Sequence, residues 1–440
     1  MFNVNIDRVR GESYEKAFCS FFNFIDCCFF SHMAIFMYLY ETGKINFTQT
    51  DDEDYRGIIT FCDFPHWSVD DPIGFNFIKK KIQDFEYLHP GVIIEFEPIK
   101  NGNFYYDVND IIGNGKPDII PITSDSPFIY NDKLEPLNKY LDKSYKNLLK
   151  EDVLNRFIYN NSVYGIPLGM YTSVLYINSD LFSKKEVEVP QNGEWSYEEF
   201  TDDMTKLTYQ EGKKEKKNFY GVTLYMGRSY NICGFLMTDG LNIIDDKGIV
   251  SFKGPQAESG LKKLIELYEK GTIDPVSFGD DYSKVWDSFT VNKESAVLVD
   301  ESYKVRYLKY LENKNKLFHF DIALYPEGDG DVPITMSPKI YGYGITKQSD
   351  KKKLDMAFKF VKFIVDSQEN VEKIGYIPVK KDVPITDEIM KKIDMAVKYT
   401  DNIPKNWHDK NILFNKTLID GLKNKESEKM ILEKIQKALN

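Results

Sequence analysis

Paired carboxylates are the first chemistry to look for in this sequence, and Asp245-Asp246 and Asp280-Asp281 stand side by side. Cleaving a glycosidic bond takes two carboxyl groups roughly 5–9 Å apart across the bond, which adjacent turn residues do not supply. The five histidines (His32, His66, His89, His319 and His408) are scattered, with no pair at i,i+4 spacing, and the cysteines form no C-x-x-C pair. No zinc-ligand spacing, nucleophile elbow, phosphate loop or dinucleotide fingerprint is present. The sequence therefore predicts no enzyme activity, no cofactor and no metal. Binding chemistry is better represented, with 31 Phe, 29 Tyr and 4 Trp. One short stretch, Asp63-Phe-Pro-His-Trp67, holds a carboxylate, an imidazole and an indole together.

The chain has 440 residues, enough for two to three domains by the ~150-residue rule. With 57 Lys+Arg against 68 Asp+Glu, its net charge of −11 argues against a nucleic-acid binder, which needs a cationic surplus. Cys19, Cys27 and Cys28 crowd the N-terminus, while Cys62 and Cys233 are far apart. Two isolated, buried thiols are the reading for the latter pair, with a single bridge as the alternative. Residues Ala17 to Tyr40 are the most apolar stretch and exceed the ~20 residues that a membrane span needs. Asn23, Asp26 and His32 interrupt it, and one central Asp costs about 2.5–3.5 kcal/mol on insertion scales. No small-residue cleavage site or lipoprotein pattern follows. Residues 1–55 are thus expected to be a leader and spacer that anchors the chain to a membrane.

The elements that must position any site follow from periodicity. Gly57–Phe61, Val92–Phe96 and Pro117–Ile122 read as strands, and Ile78, Ile82, Phe85 and Leu88 mark one face of a helix ended by His89-Pro90. With a helical segment before the third strand, this is a βαβ pattern and a mostly parallel sheet. Further strands fall at Val174–Ile177, Tyr220–Tyr225, Ala296–Val299 and Phe320–Leu324, with helices around Leu261–Tyr268 and Leu354–Val365 and two more after Asp409. The expected fold class is α/β, in two lobes.

Several stretches in this order resemble the extracellular solute-binding proteins of ABC importers, of the oligosaccharide- and maltodextrin-binding type. They include Phe85-Glu-Tyr-Leu-His-Pro-Gly-Val, Lys116-Pro-Asp-Ile-Ile, Tyr164-Gly-Ile-Pro with Leu175-Tyr-Ile-Asn, Trp195-Ser-Tyr-Glu-Glu-Phe and Gly375-Tyr-Ile-Pro. Together they cover roughly residues 57–440. The resemblance implies a two-lobed fold of the periplasmic-binding-protein kind. Lobe 1 takes residues 56–167 plus 340–372, and lobe 2 takes 172–328 plus 380–440. Hinge crossings lie near 166–172, 327–341 and 371–380. It also implies capture of a small solute, a sugar or oligosaccharide, by hinge closure, at the extracellular face of the cell membrane. Delivery to permease subunits by a monomer follows. A membrane-tethered receptor that signals rather than transports would use the same cleft.

A sugar presents apolar C–H faces and hydroxyl rims, so its site wants aromatic planes and hydrogen-bonding side chains. On that basis the ligand-binding candidates are Asp63, His66 and Trp67 after the first strand and Asp125 after the third. The resemblance adds Tyr171 in the first crossing, Asp239, Tyr303 and Trp407, at positions where the family places ligand-contacting or loop residues, and Tyr341 and Tyr343 complete the set. Each has a plainer role in competition. Asp63 can cap a turn, Asp125 can form an Asx-turn before Pro127, and Asp239-Gly240 can be a left-handed turn. Trp286 reads as core, and Arg228 as either an anion ligand or a structural arginine.

Overall fold

A computed structural model describes residues 55–99, 117–244, 249–329, 335–336, 339–398, 400–401 and 407–439. All of these belong to the compact unit Tyr55–Asn440. The apolar N-terminal stretch and the helical segment expected before the third strand lie outside them.

Two sheets organise the chain. The first has six strands in the order β11-β4-β10-β3-β1-β2. They are β1 (Gly57–Asp63), β2 (Val92–Pro98), β3 (Ile119–Thr123), β4 (Ile166–Tyr171), β10 (Lys339–Ile345) and β11 (Ile377–Pro378). The second sheet, ordered β9-β5-β8-β7-β6, comprises β5 (Ser173–Asn178), β6 (Tyr209–Glu211), β7 (Lys217–Leu224), β8 (Ser295–Glu301) and β9 (Phe320–Ala323). A single residue, Thr172, separates β4 of the first sheet from β5 of the second. Neither sheet is mostly parallel, contrary to the βαβ expectation. β1 runs parallel to β2 and β3, but β10 is antiparallel to both β3 and β4, and β11 is antiparallel to β4. The strands that leave for the other sheet, or return from it, enter against the βαβ direction.

Local sequence accounts for the main elements. In α1 (Asn76–Leu88), Ile78, Ile82 and Phe85 fall on one face and are buried, and each such side chain contributes about 1.5–3 kcal/mol. His89-Pro90 stops the helix, because proline cannot continue it. Ser196 and Glu199 form a reciprocal capping box at the start of the helix Tyr197–Lys206. Asp350 accepts the first free amides of the helix Lys351–Val365. In β5, side chains alternate between two cores. Leu175 and Ile177 pack into the core of the second lobe, whereas Val174 and Tyr176 join a core continuous with the first sheet. Cys62 and Cys233 are both buried and both free, one in each lobe.

Candidate functional site

β1, β4 and β10 of the first sheet and β8 of the second all deliver side chains to one place. Asp63 closes β1 and is fully buried. Its Oδ2 accepts from Tyr343 Oη at 2.7 Å and lies 2.9 Å from His66 Nε2, while Oδ1 accepts from the Phe64 amide at 2.9 Å and from Tyr341 Oη. Burial, then the neighbouring Asp63 charge, push both phenols far above their ordinary range, so they remain donors. His66 spends Nε2 on this carboxylate, and its Nδ1 is buried with no partner.

Around this hub the aromatic rings line up. Trp67 lies 6.0 Å from Tyr303 at an interplanar angle of 21°, and Tyr303 lies 5.9 Å from Tyr376 at 24°. Tyr376 in turn lies 5.6 Å from Tyr341 at 26°. The result is a ladder of near-parallel rings running Trp67, Tyr303, Tyr376, Tyr341. Tyr171 meets Tyr303 edge-on at 5.1 Å, and His66 sets its edge against Tyr341 at 5.3 Å. These spacings lie in the range where aromatic pairs attract.

The second-sheet face is ionic. Asp300, fully buried, is bound by Lys304 Nζ at 2.6 Å, by Arg228 at 3.5 Å and by the Tyr282 hydroxyl. Glu301 accepts from Arg228 at 3.2 Å, from Tyr303 Oη at 2.9 Å and from Lys339 at 3.4 Å. Burial alone would raise the Glu301 carboxyl, but the charges of Arg228, Lys339 and Lys304 and the Tyr303 hydrogen bond outweigh it and hold it at about 2. Burial lowers Lys304 despite Asp300 beside it. Direct bonds join the faces. Lys339 of β10 reaches Glu301 of β8, and Tyr230 Oη, from the helix Ser229–Leu236, donates to Asp125 Oδ2 at 2.7 Å. Asp125 also accepts from Thr123 Oγ1 at 2.6 Å.

The structure thus brings together Asp63, His66, Trp67, Tyr171, Tyr303, Tyr341 and Tyr343, with Asp125 on the interlobe bond. Trp407 and Asp239 are placed elsewhere. Trp407 is fully buried in the second-lobe core against Phe252 and Phe414, its Nε1 donating to Ser229 Oγ at 2.8 Å, so the indole is spent on packing. Asp239 pairs with Lys263 and accepts the Asp329 amide at 2.9 Å, pinning the loop after β9, and Gly240 has φ +79° as a left-handed turn requires. Arg228 is held by two acids rather than presented to an anion. Trp286 is partly buried beside Tyr307 and below Lys304. Tyr376, Glu301 and Lys339 were missed as site residues. The signal for Tyr376 was its position at a crossing, after Gly375 (φ +85°). Among the described residues no cluster of His, Cys, Asp and Glu could hold a metal, and no helix is long and apolar enough to cross a membrane.

A family model for bacterial extracellular solute-binding proteins matches residues 71–371, more than half of the chain. The chain belongs to that family. Solved structures of similar fold include the ABC substrate-binding protein Lmo0181 from Listeria monocytogenes in complex with cycloalternan. It is 18% identical, with a TM-score of 0.71, over 88% of this chain and 98% of that one. The GacH receptor of Streptomyces glaucescens, solved unliganded and with acarbose, is likewise 18% identical at a TM-score of 0.71, over 88% and 99%. Maltose-bound MalE3 of T. maritima is 16% identical at 0.71, over 87% and 98%. The shared architecture is the two-lobed binding-protein fold, and the ring ladder of this family member sits where its two sheets meet.

Proposed function

We propose that this chain is the substrate-binding component of an ABC importer and captures an oligosaccharide between its lobes. The observation that carries the reading is the ring ladder flanked by buried hydrogen-bonding groups. Planar apolar faces beside a dense polar rim suit a pyranose, which has both kinds of surface. The carbohydrate ligands in the similar structures support it. Lobe 1 comprises residues 56–167 with 340–372, lobe 2 comprises 172–328 with 380–440, and closure hinges on 166–172, 327–341 and 371–380. Of the ligand-contacting set, Trp67, Tyr171, Tyr341 and Tyr376 offer planes, and Asp63, His66 and Asp125 offer polar atoms. The protein works as a monomer at the extracellular face of the membrane, held there by its N-terminal segment, and passes its ligand to permease subunits.

Calorimetry and thermal melting across a panel of mono- and oligosaccharides test the reading. A ligand at 100 times its Kd adds about 2.7 kcal/mol of stability. No heat and no melting shift with any sugar would sink it. Binding without catalysis also requires the oligosaccharide to be recovered intact after long incubation, and shortened products would overturn that part.

A further inference from the structure

The lobes grip each other across the cleft with the chain's own side chains. Lys339 opens β10 and Asp125 lies just after β3, both on the first lobe. Facing them on the second, Glu301 ends β8 and Tyr230 stands in the helix Ser229–Leu236. Lys339 Nζ lies 3.4 Å from Glu301 Oε1 and 3.9 Å from the centre of the Tyr230 ring, whose hydroxyl donates to Asp125 at 2.7 Å. We propose that these four side chains are a latch that holds the lobes shut without a ligand, so that a ligand enters only when the latch opens. The latch governs the site of the carbohydrate reading above, and its effect on sugar entry rests on that reading.

Three observations carry it. First, each contact is of a kind that attracts by itself: an ion pair, a cation over an aromatic face and a hydrogen bond to a carboxylate. Second, the latch parts without stranding an acid. Glu301 keeps Arg228 at 3.2 Å and the Tyr303 hydroxyl at 2.9 Å on its own lobe, and Asp125 keeps Thr123 Oγ1 at 2.6 Å. A buried pair is costly to break when it leaves one charge uncompensated, and neither acid is left so here. Lys339 does lose its acid, but its side chain is 14% exposed, against 6% for Lys304, so opening passes it to water. Third, apolar contacts close along the same boundary. Tyr303 of the second lobe meets Trp67 at 6.0 Å and Tyr171 at 5.1 Å, which belong to the first.

A latch that is mostly shut slows entry in proportion to how seldom it opens. Small-angle scattering of the full chain without sugar reads the latch directly, and stopped-flow mixing with the best sugar of the panel reads entry. Melting curves confirm that each variant is folded. In low salt the wild type should be compact, and Lys339→Gln should have the larger radius of gyration. Lys339→Gln should also take up sugar faster, by about tenfold if the latch leaves about a tenth of molecules open. Tyr230→Phe, which keeps the ring under Lys339 and loses only the bond to Asp125, should move both measures the same way by less. Salt at about 1 M should expand the wild type toward Lys339→Gln and leave that variant unchanged. Equal radii for the three proteins in low salt would overturn the latch, whether or not sugar binds. Expansion without faster uptake would overturn its control of entry. Expanded variants with no sugar bound by any of the three would support the latch and overturn the carbohydrate reading.

Discussion

On the first-lobe face of the cleft, one carboxylate is surrounded by two tyrosine hydroxyls, a backbone amide and an imidazole. On the second-lobe face, two carboxylates are surrounded by basic side chains, Arg228 and Lys304 of that face and Lys339 reaching across from β10. Both arrangements pair every buried acid, yet they store their energy differently. A neutral donor that is removed leaves one weakened acceptor. A charge that is removed leaves its opposite buried and uncompensated, which costs far more. The second face should therefore be the more sensitive to mutation and to acid, and the first to subtle changes in ring position.

The sharpest way to break this contrast is Asp300→Ala, which strands the buried Lys304 and leaves Arg228 only Glu301. A loss of about 3–5 kcal/mol is expected by denaturant unfolding, and a loss under 1 kcal/mol would remove the distinction between the faces. Next comes Tyr343→Phe on the first face, which deletes one hydrogen bond to a charged group. It should cost about 1.5–3 kcal/mol, less than the charge deletion. Acid unfolding sharpens the comparison further. The folded Glu301 carboxyl sits at about 2, below the 4.5 of an unperturbed glutamate, so the unfolded chain binds the extra proton in between. Its contribution is complete above pH 4.5 and is lost as pH falls toward 2. Glu301→Gln should flatten the slope of stability against pH in that window, and an unchanged slope would place the acid sensitivity elsewhere. The smallest effect belongs to an exposed pair, Lys139 with Asp355. Lys139→Ala should change stability by no more than about 0.5 kcal/mol, which gives the scale against which the buried pairs are read.

Much of this architecture was legible in residue order. Strand and helix cores matched within a few residues, because alternation and 3.6-residue spacing record which side chains are buried. The first-lobe half of the site was legible too, since Asp63, His66 and Trp67 share one loop at a strand end. Strand direction was not. β10 lies antiparallel to both its neighbours, which no local pattern records, because pairing is decided by where the chain returns from. The ionic face was also hidden, since Arg228, Asp300 and Lys339 are brought together over more than a hundred residues. Trp407 misled for a simple reason: a tryptophan is equally at home stacking on a ligand or filling a core, and only the Ser229 partner for its indole nitrogen decides.

The position of β10 also bears on how the protein is made. It lies between β3 and β4, so the first sheet stays in two pieces until residues 339–345 exist. The second sheet has all its strands once Ala323 has been synthesised. As the chain emerges N-terminus first, the later sheet in sequence is the one able to gather its strands first, while β1, β2 and β3 wait with an open edge at β3. A chain stalled before residue 339 would present that edge to whatever is nearby. The ribosome or export machinery therefore holds, for a time, a second sheet with all its strands, still lacking the C-terminal helices that complete its core, beside a first sheet in two pieces.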